Sequence, residues 1–76
     1  MKFYQKKDDP SKIVKIIGEY SQEMVVGSID MYNVKTVEGK WNKTTTVDSV
    51  GKEGFHYTFD PITDKAQLVK LTLKYD

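Results

Sequence analysis

The chain has 76 residues, a formal net charge of +1 from 12 lysines against 11 acids, one histidine, and neither arginine nor cysteine. The missing residue types exclude disulfides, thiolate nucleophiles and cysteine-based zinc sites, and they remove the guanidinium fork that grips phosphates and guanine edges. A chain this short is expected to form one small domain, residues 1–76, with a marginal core, and its near-neutral charge sets up no global field toward DNA or an anionic membrane.

Val, Ile, Thr and the aromatics supply 29 residues, whereas Ala and Leu supply four: Ala66, Leu68, Leu71 and Leu73. Such a composition suits a pleated surface better than helices. Phe3 to Lys7 reads as a first strand, closed by the turn-forming Asp8-Asp9-Pro10-Ser11. Lys12 to Tyr20 follows as a second strand, with a tight reversal at Ser21-Gln22. Glu23 to Lys35 is a third, long and β-rich, in which Gly27 marks a bulge or bend. Val37 to Asn42 is a loop carrying Gly39 and Trp41. Thr44 to Val50 reads as a strand, with a short helix as the alternative, and Gly51-Lys52-Glu53-Gly54 as a turn.

The last third alternates most clearly. Phe55, Tyr57 and Phe59 interleave with His56, Thr58 and Asp60, a period of two that predicts a half-buried strand. Asp60-Pro61 to Lys65 is a turn. Val69, Leu71, Leu73 and Tyr75 then interleave with Lys70, Thr72, Lys74 and Asp76, predicting a final strand. The expected fold is all-β: an antiparallel meander of about five to six strands, barrel-like or a strongly curved sheet. The alternative is α+β with one short helix near residues 44–52.

One strand breaks the one-faced pattern. Ile13, Val14, Ile16 and Ile17 are apolar on both sides, so the sheet must close on itself or a helix, a second subunit or a partner must cover the second side.

Catalytic chemistry has little to draw on. His56 lacks a recognisable nucleophile and orienting group in the sequence. Asp8, Asp9, Asp60 and Asp64 sit in predicted turns, where aspartates bond their own backbone, and neither turn has the density of oxygen ligands a calcium loop needs. The expectation is therefore no enzyme activity, no catalytic residue, no metal and no cofactor. The best binding lead is Lys40-Trp41-Asn42-Lys43, where an indole flanked by lysines could stack a base or anchor a protein interface; its competing role is a cap on the core. Tyr4 and Lys6 belong to a second basic-aromatic cluster, for which a lysine-protected edge strand is the plainer role.

These features favour a non-catalytic module binding another protein, of the adaptor or inhibitor type that phages and mobile elements encode, with a homodimer as one form. The binding residues would be Trp41, Lys40, Lys43, Tyr4 and Lys6. The alternative is a small nucleic-acid-binding barrel with a lysine and aromatic surface, disfavoured by the net charge and the absent arginine. The N-terminus becomes charged before any apolar run develops and no stretch approaches the ~20 apolar residues of a membrane helix, which leads to the expectation of a cytoplasmic protein without membrane contact.

Overall fold

The computed structural model describes residues 3–39 and 47–75. In chain order the elements are β1 (Phe3–Lys6), β2 (Asp9–Met24), β3 (Gly27–Glu38), β4 (Val47–Gly51), α1 (Lys52–Thr58), β5 (Phe59–Pro61) and α2 (Lys65–Tyr75). β1 to β4 form an antiparallel meander. α1 then carries the chain back across the sheet, and β5 pairs antiparallel with β1, giving the order β4-β3-β2-β1-β5. The sheet is thus antiparallel as expected, but it is open, with β4 and β5 at its edges, and it is accompanied by two helices.

The two-faced strand is explained by those helices. Ile13 joins Phe3, Ile62 and Leu71 in one buried cluster, against which Val37, Leu68 and Tyr75 pack. Val14 joins Val34 and Phe55 in the other, with Tyr4, Ile16, Tyr32, Val50 and Phe59 around them. Neighbours in sequence point to opposite sides of a strand, so β2 sits in the middle of a three-layer arrangement, α2 on one face and α1 on the other.

Both helices occupy stretches that the alternation assigned to strands. Phe55 and Phe59 are two steps apart in a strand pattern but also four residues apart, which is one helical turn. Their rings stack at 4.8 Å, while Tyr4 and Tyr32 meet Phe55 edge-on at 4.9 and 5.3 Å. Tyr57, which a strand would have buried with them, is 85% exposed. Gly51 lies at the helix N-cap in an extended conformation, so Gly51-Lys52-Glu53-Gly54 is the start of α1 and not a hairpin turn. In α2, Leu68, Leu71 and Tyr75 face the core at helical spacing. Asp64 starts the helix: its carboxylate accepts from the Ala66 amide at 3.0 Å and its carbonyl from the Leu68 amide at 2.9 Å. The short helix considered near residues 44–52 is replaced by β4 over its described part, and helix begins only at Lys52.

The chain reversals also move. Ser21-Gln22 is not a turn; β2 runs on to Met24, opposite Gly27, and the reversal falls on Val25-Val26. Gly27 takes φ +132°, which the valines do not, so the glycine is the residue that closes this hairpin. Between β1 and β2 only Lys7 and Asp8 form the turn, and Asp9-Pro10-Ser11 already belongs to β2. At the far end of β3, Gly39 adopts φ +98°, and a Cβ there would lie 2.9 Å from Lys12 Cα. Both the backbone angle and the close approach require glycine at this point.

Candidate functional site

The β2–β3 hairpin outgrows the rest of the molecule. β1 covers β2 only from Asp9 to Lys15, and β4 covers β3 only from Met31 to Lys35. β2 is free of β1 from Gly18 on, and from Ser21↔Asp30 to Met24↔Gly27 the two strands pair solely with each other. Every residue from 19 to 30 is exposed, and the molecule is drawn out to 43 × 25 × 22 Å. We refer to residues 18–31 as the arm.

The arm is amphipathic, and the register sets which side is which. Tyr32 and Val34 of β3 belong to the α1 cluster, whereas Val37 belongs to the α2 cluster. Alternation from these anchors turns Met31 and Ile29 toward the α2 side. Their cross-strand partners Tyr20 and Gln22, and Met24 at the tip, share that side. Glu19, Ser21, Glu23, Ser28 and Asp30 take the other. Tyr20, Ile29 and Met24 are 39%, 45% and 50% exposed, and the turn residues Val26 and Val25 are 94% and 106% exposed. The arm therefore continues the apolar face that α2 covers on the body, without a described element above it.

On the opposite side Ser21 donates to Asp30 across the strands at 2.8 Å. Glu19 meets Lys52 of α1 at 3.0 Å, which ties the base of the arm to the body. This contact holds the Lys52 ammonium above its ordinary 10.5, chiefly through the hydrogen bond to Glu19. The arm contains three acids, Glu19, Glu23 and Asp30, and no lysine. Charged side chains along the open strand edges discourage indiscriminate sheet extension.

A second constellation lies where β1, β3 and α1 meet. Tyr32 Oη and His56 Nε2 share a hydrogen bond at 2.9 Å, and Lys52 Nζ lies 5.0 Å from the centre of the Tyr32 ring. His56 is exposed on α1 rather than on a strand. Among the described residues the His56 ring is flanked by the Tyr4 and Phe55 rings at 5.9 and 5.6 Å, and the hydrogen bond clasps helix to sheet at the surface. Among the described residues, no three His, Cys, Asp or Glu side chains converge where a metal ion could be held. No helix among them is long and apolar enough to cross a membrane.

The sequence-derived binding residues divide in two. Lys40, Trp41 and Lys43 lie outside the described residues. Tyr4 is half-buried and packs against Phe55 and, at 5.9 Å, His56. Lys6 pairs with Asp8 at 3.7 Å at the first turn. The arm residues Tyr20, Met24, Ile29 and Met31 were not among the sequence candidates. Their signal is present in Glu19-Tyr20-Ser21-Gln22-Glu23-Met24, a period-two pattern of polar and larger side chains that the misplaced reversal at Ser21-Gln22 cut in half.

Comparison with known proteins gives no match: no protein-family model, curated protein or solved structure is similar to this chain.

Proposed function

We propose that the protein is a non-catalytic interaction module that binds another protein through its arm. The observation that supports this most is the combination of exposure and amphipathicity in residues 18–31. None of the buried residues of either cluster comes from the arm, yet the arm keeps an apolar face that folding of the body does not use. An exposed apolar surface rimmed by polar groups is characteristic of protein contact sites. The acids on the other side disfavour phosphate backbones and anionic lipid as targets of the arm.

The nucleic-acid alternative draws on Tyr57, 85% exposed with Lys7 Nζ 6.0 Å from its ring centre. Lys7 also pairs with Asp60 at 3.7 Å, however, so part of that positive charge is already matched within the chain.

Affinity capture from cells that make the protein, with wild-type and Ile29→Glu baits, tests the proposal. A protein partner held by the wild type and lost from the variant, with both baits folded, is the expected result. Partners that ignore the arm substitution, or nucleic acid that washes off as salt rises, would overturn it.

A further inference from the structure

The arm has a counterpart in the same molecule. Helix α2 turns Leu68, Leu71 and Tyr75 to the core, which leaves Ala66, Val69 and Leu73 on the outer side at the same helical spacing. Val69 is 58% and Leu73 82% exposed. α2 is thus apolar on both sides, an arrangement expected of a helix with a layer above it as well as below. Its net charge is opposite in sign to the arm's, Lys65, Lys70 and Lys74 with no acid between residues 65 and 75 against Glu19, Glu23 and Asp30 with no lysine; since the arm's acids lie on the side away from its apolar face, this complementarity is one of overall field and not of direct contact.

Resting on the reading of the arm as a protein-binding surface, we propose that its occupant is a second copy of this chain. The two copies form a reciprocal dimer in which the apolar face of each arm lies on the outer side of the partner's α2.

The layers fit. The apolar side of the arm and α2 lie on the same face of one sheet, with the arm beyond the helix. Packed layers are spaced by about 10 Å. A second copy turned over and run antiparallel places its α2 above the first copy's arm at that spacing, and the first copy's α2 beneath its own arm. The product has two outer sheets with the two α2 helices between them. The lengths agree as well, since an 11-residue helix is about 16 Å long, and a seven-residue arm strand about 23 Å. Two such contacts bury on the order of 1,200 Å² in total, the lower bound for a standard specific interface. Two arms stacked on each other through their apolar sides would instead leave the outer side of α2 uncovered.

Sedimentation equilibrium of the full chain across the micromolar range tests the proposal, using wild type, Ile29→Glu, Leu73→Lys, and an equimolar mixture of the two variants. Both substituted side chains are exposed, and circular dichroism checks that each variant is folded. Wild type is expected at twice the 8.8 kDa chain mass, and each variant alone is expected to dimerise at least about tenfold more weakly. The mixture should recover the dimer, because one arm–helix contact is then intact and the introduced acid faces the introduced base in the other. A monomeric wild type, or a dimer indifferent to both substitutions, overturns the proposal. So does a mixture that stays monomeric, and so does a dimer lost in Ile29→Glu but unchanged in Leu73→Lys, which would favour arm-on-arm stacking. A monomeric wild type whose Ile29→Glu variant still loses a foreign protein on capture removes the second-copy occupant and keeps the interaction module.

Discussion

Phe55 and Tyr57 stand two residues apart and do opposite things. Phe55 is 2% exposed and is the centre of the α1 cluster, stacked on Phe59 and flanked by two tyrosine edges, whereas Tyr57 is 85% exposed. Phe55→Ala is expected to cost about 3–5 kcal/mol, enough to unfold most of a domain this small. Tyr57→Ala is expected to change stability by no more than about 0.5 kcal/mol. Urea unfolding of the two variants checks both values; equal losses would mean that the residues share a buried strand face after all. Reading these residues from sequence fails for a definite reason: aromatic residues at 55 and 59 satisfy a period of two and a spacing of four alike, and only burial separates them. Leu68 carries the same lesson in α2, because it is a half-buried, core-facing residue that falls outside the alternation of Val69, Leu71, Leu73 and Tyr75. Ile13 and Val14 were legible, since a strand apolar on both sides required two covers and has them.

Among the elements, the arm and α1 are joined by Glu19 and Lys52 at 3.0 Å. The Lys52 ammonium is held above its ordinary 10.5 by that carboxylate. The sign follows directly: a group whose value rises on folding favours the folded state fully below its unfolded value, and the contribution disappears as pH climbs through the folded value. On the Lys52 side the tie is therefore intact at neutral pH and is lost as pH climbs above 10.5. Because both side chains reach solvent, its effect on global stability is small. An NMR titration of the Lys52 side chain should show deprotonation above 10.5 in the wild type and a lower value in Glu19→Gln. No difference between the two would mean that the contact does not persist in solution. At this scale the strand content was legible through β-branched and aromatic composition. The reversal was not: Ser21-Gln22 has turn-compatible residues but no backbone requirement, whereas Gly27 supplies the positive φ that the hairpin needs.

Among the described residues, the molecule separates into a body whose two faces are covered by helices and an arm whose apolar face has no helix over it. The body explains its own stability through Phe3, Ile13, Ile62 and Leu71 on one side and Val14, Val34 and Phe55 on the other. The arm contributes no residue to either buried cluster, and under the proposal its exposed apolar surface is covered by a contact outside the chain. The sequence indicated an unspent apolar surface but placed its consequence at Ile13–Ile17, where the helices already cover Ile13, Val14 and Ile16, because the extents of β1, which stops at Lys15, and of β4, which reaches only as far as Met31, are not visible in residue periodicity.

The most direct measurement is the unfolding free energy of a chain in which residues 21–30 are replaced by Asn-Gly. The replacement joins Tyr20 to Met31, which face each other across the hairpin. It should be compared with the full chain at a concentration where both are monomeric. Stability within about 1 kcal/mol of the full chain is expected, because nothing buried is removed. A loss of several kcal/mol would contradict the account, making the arm part of the folding core and not a surface held out for a partner.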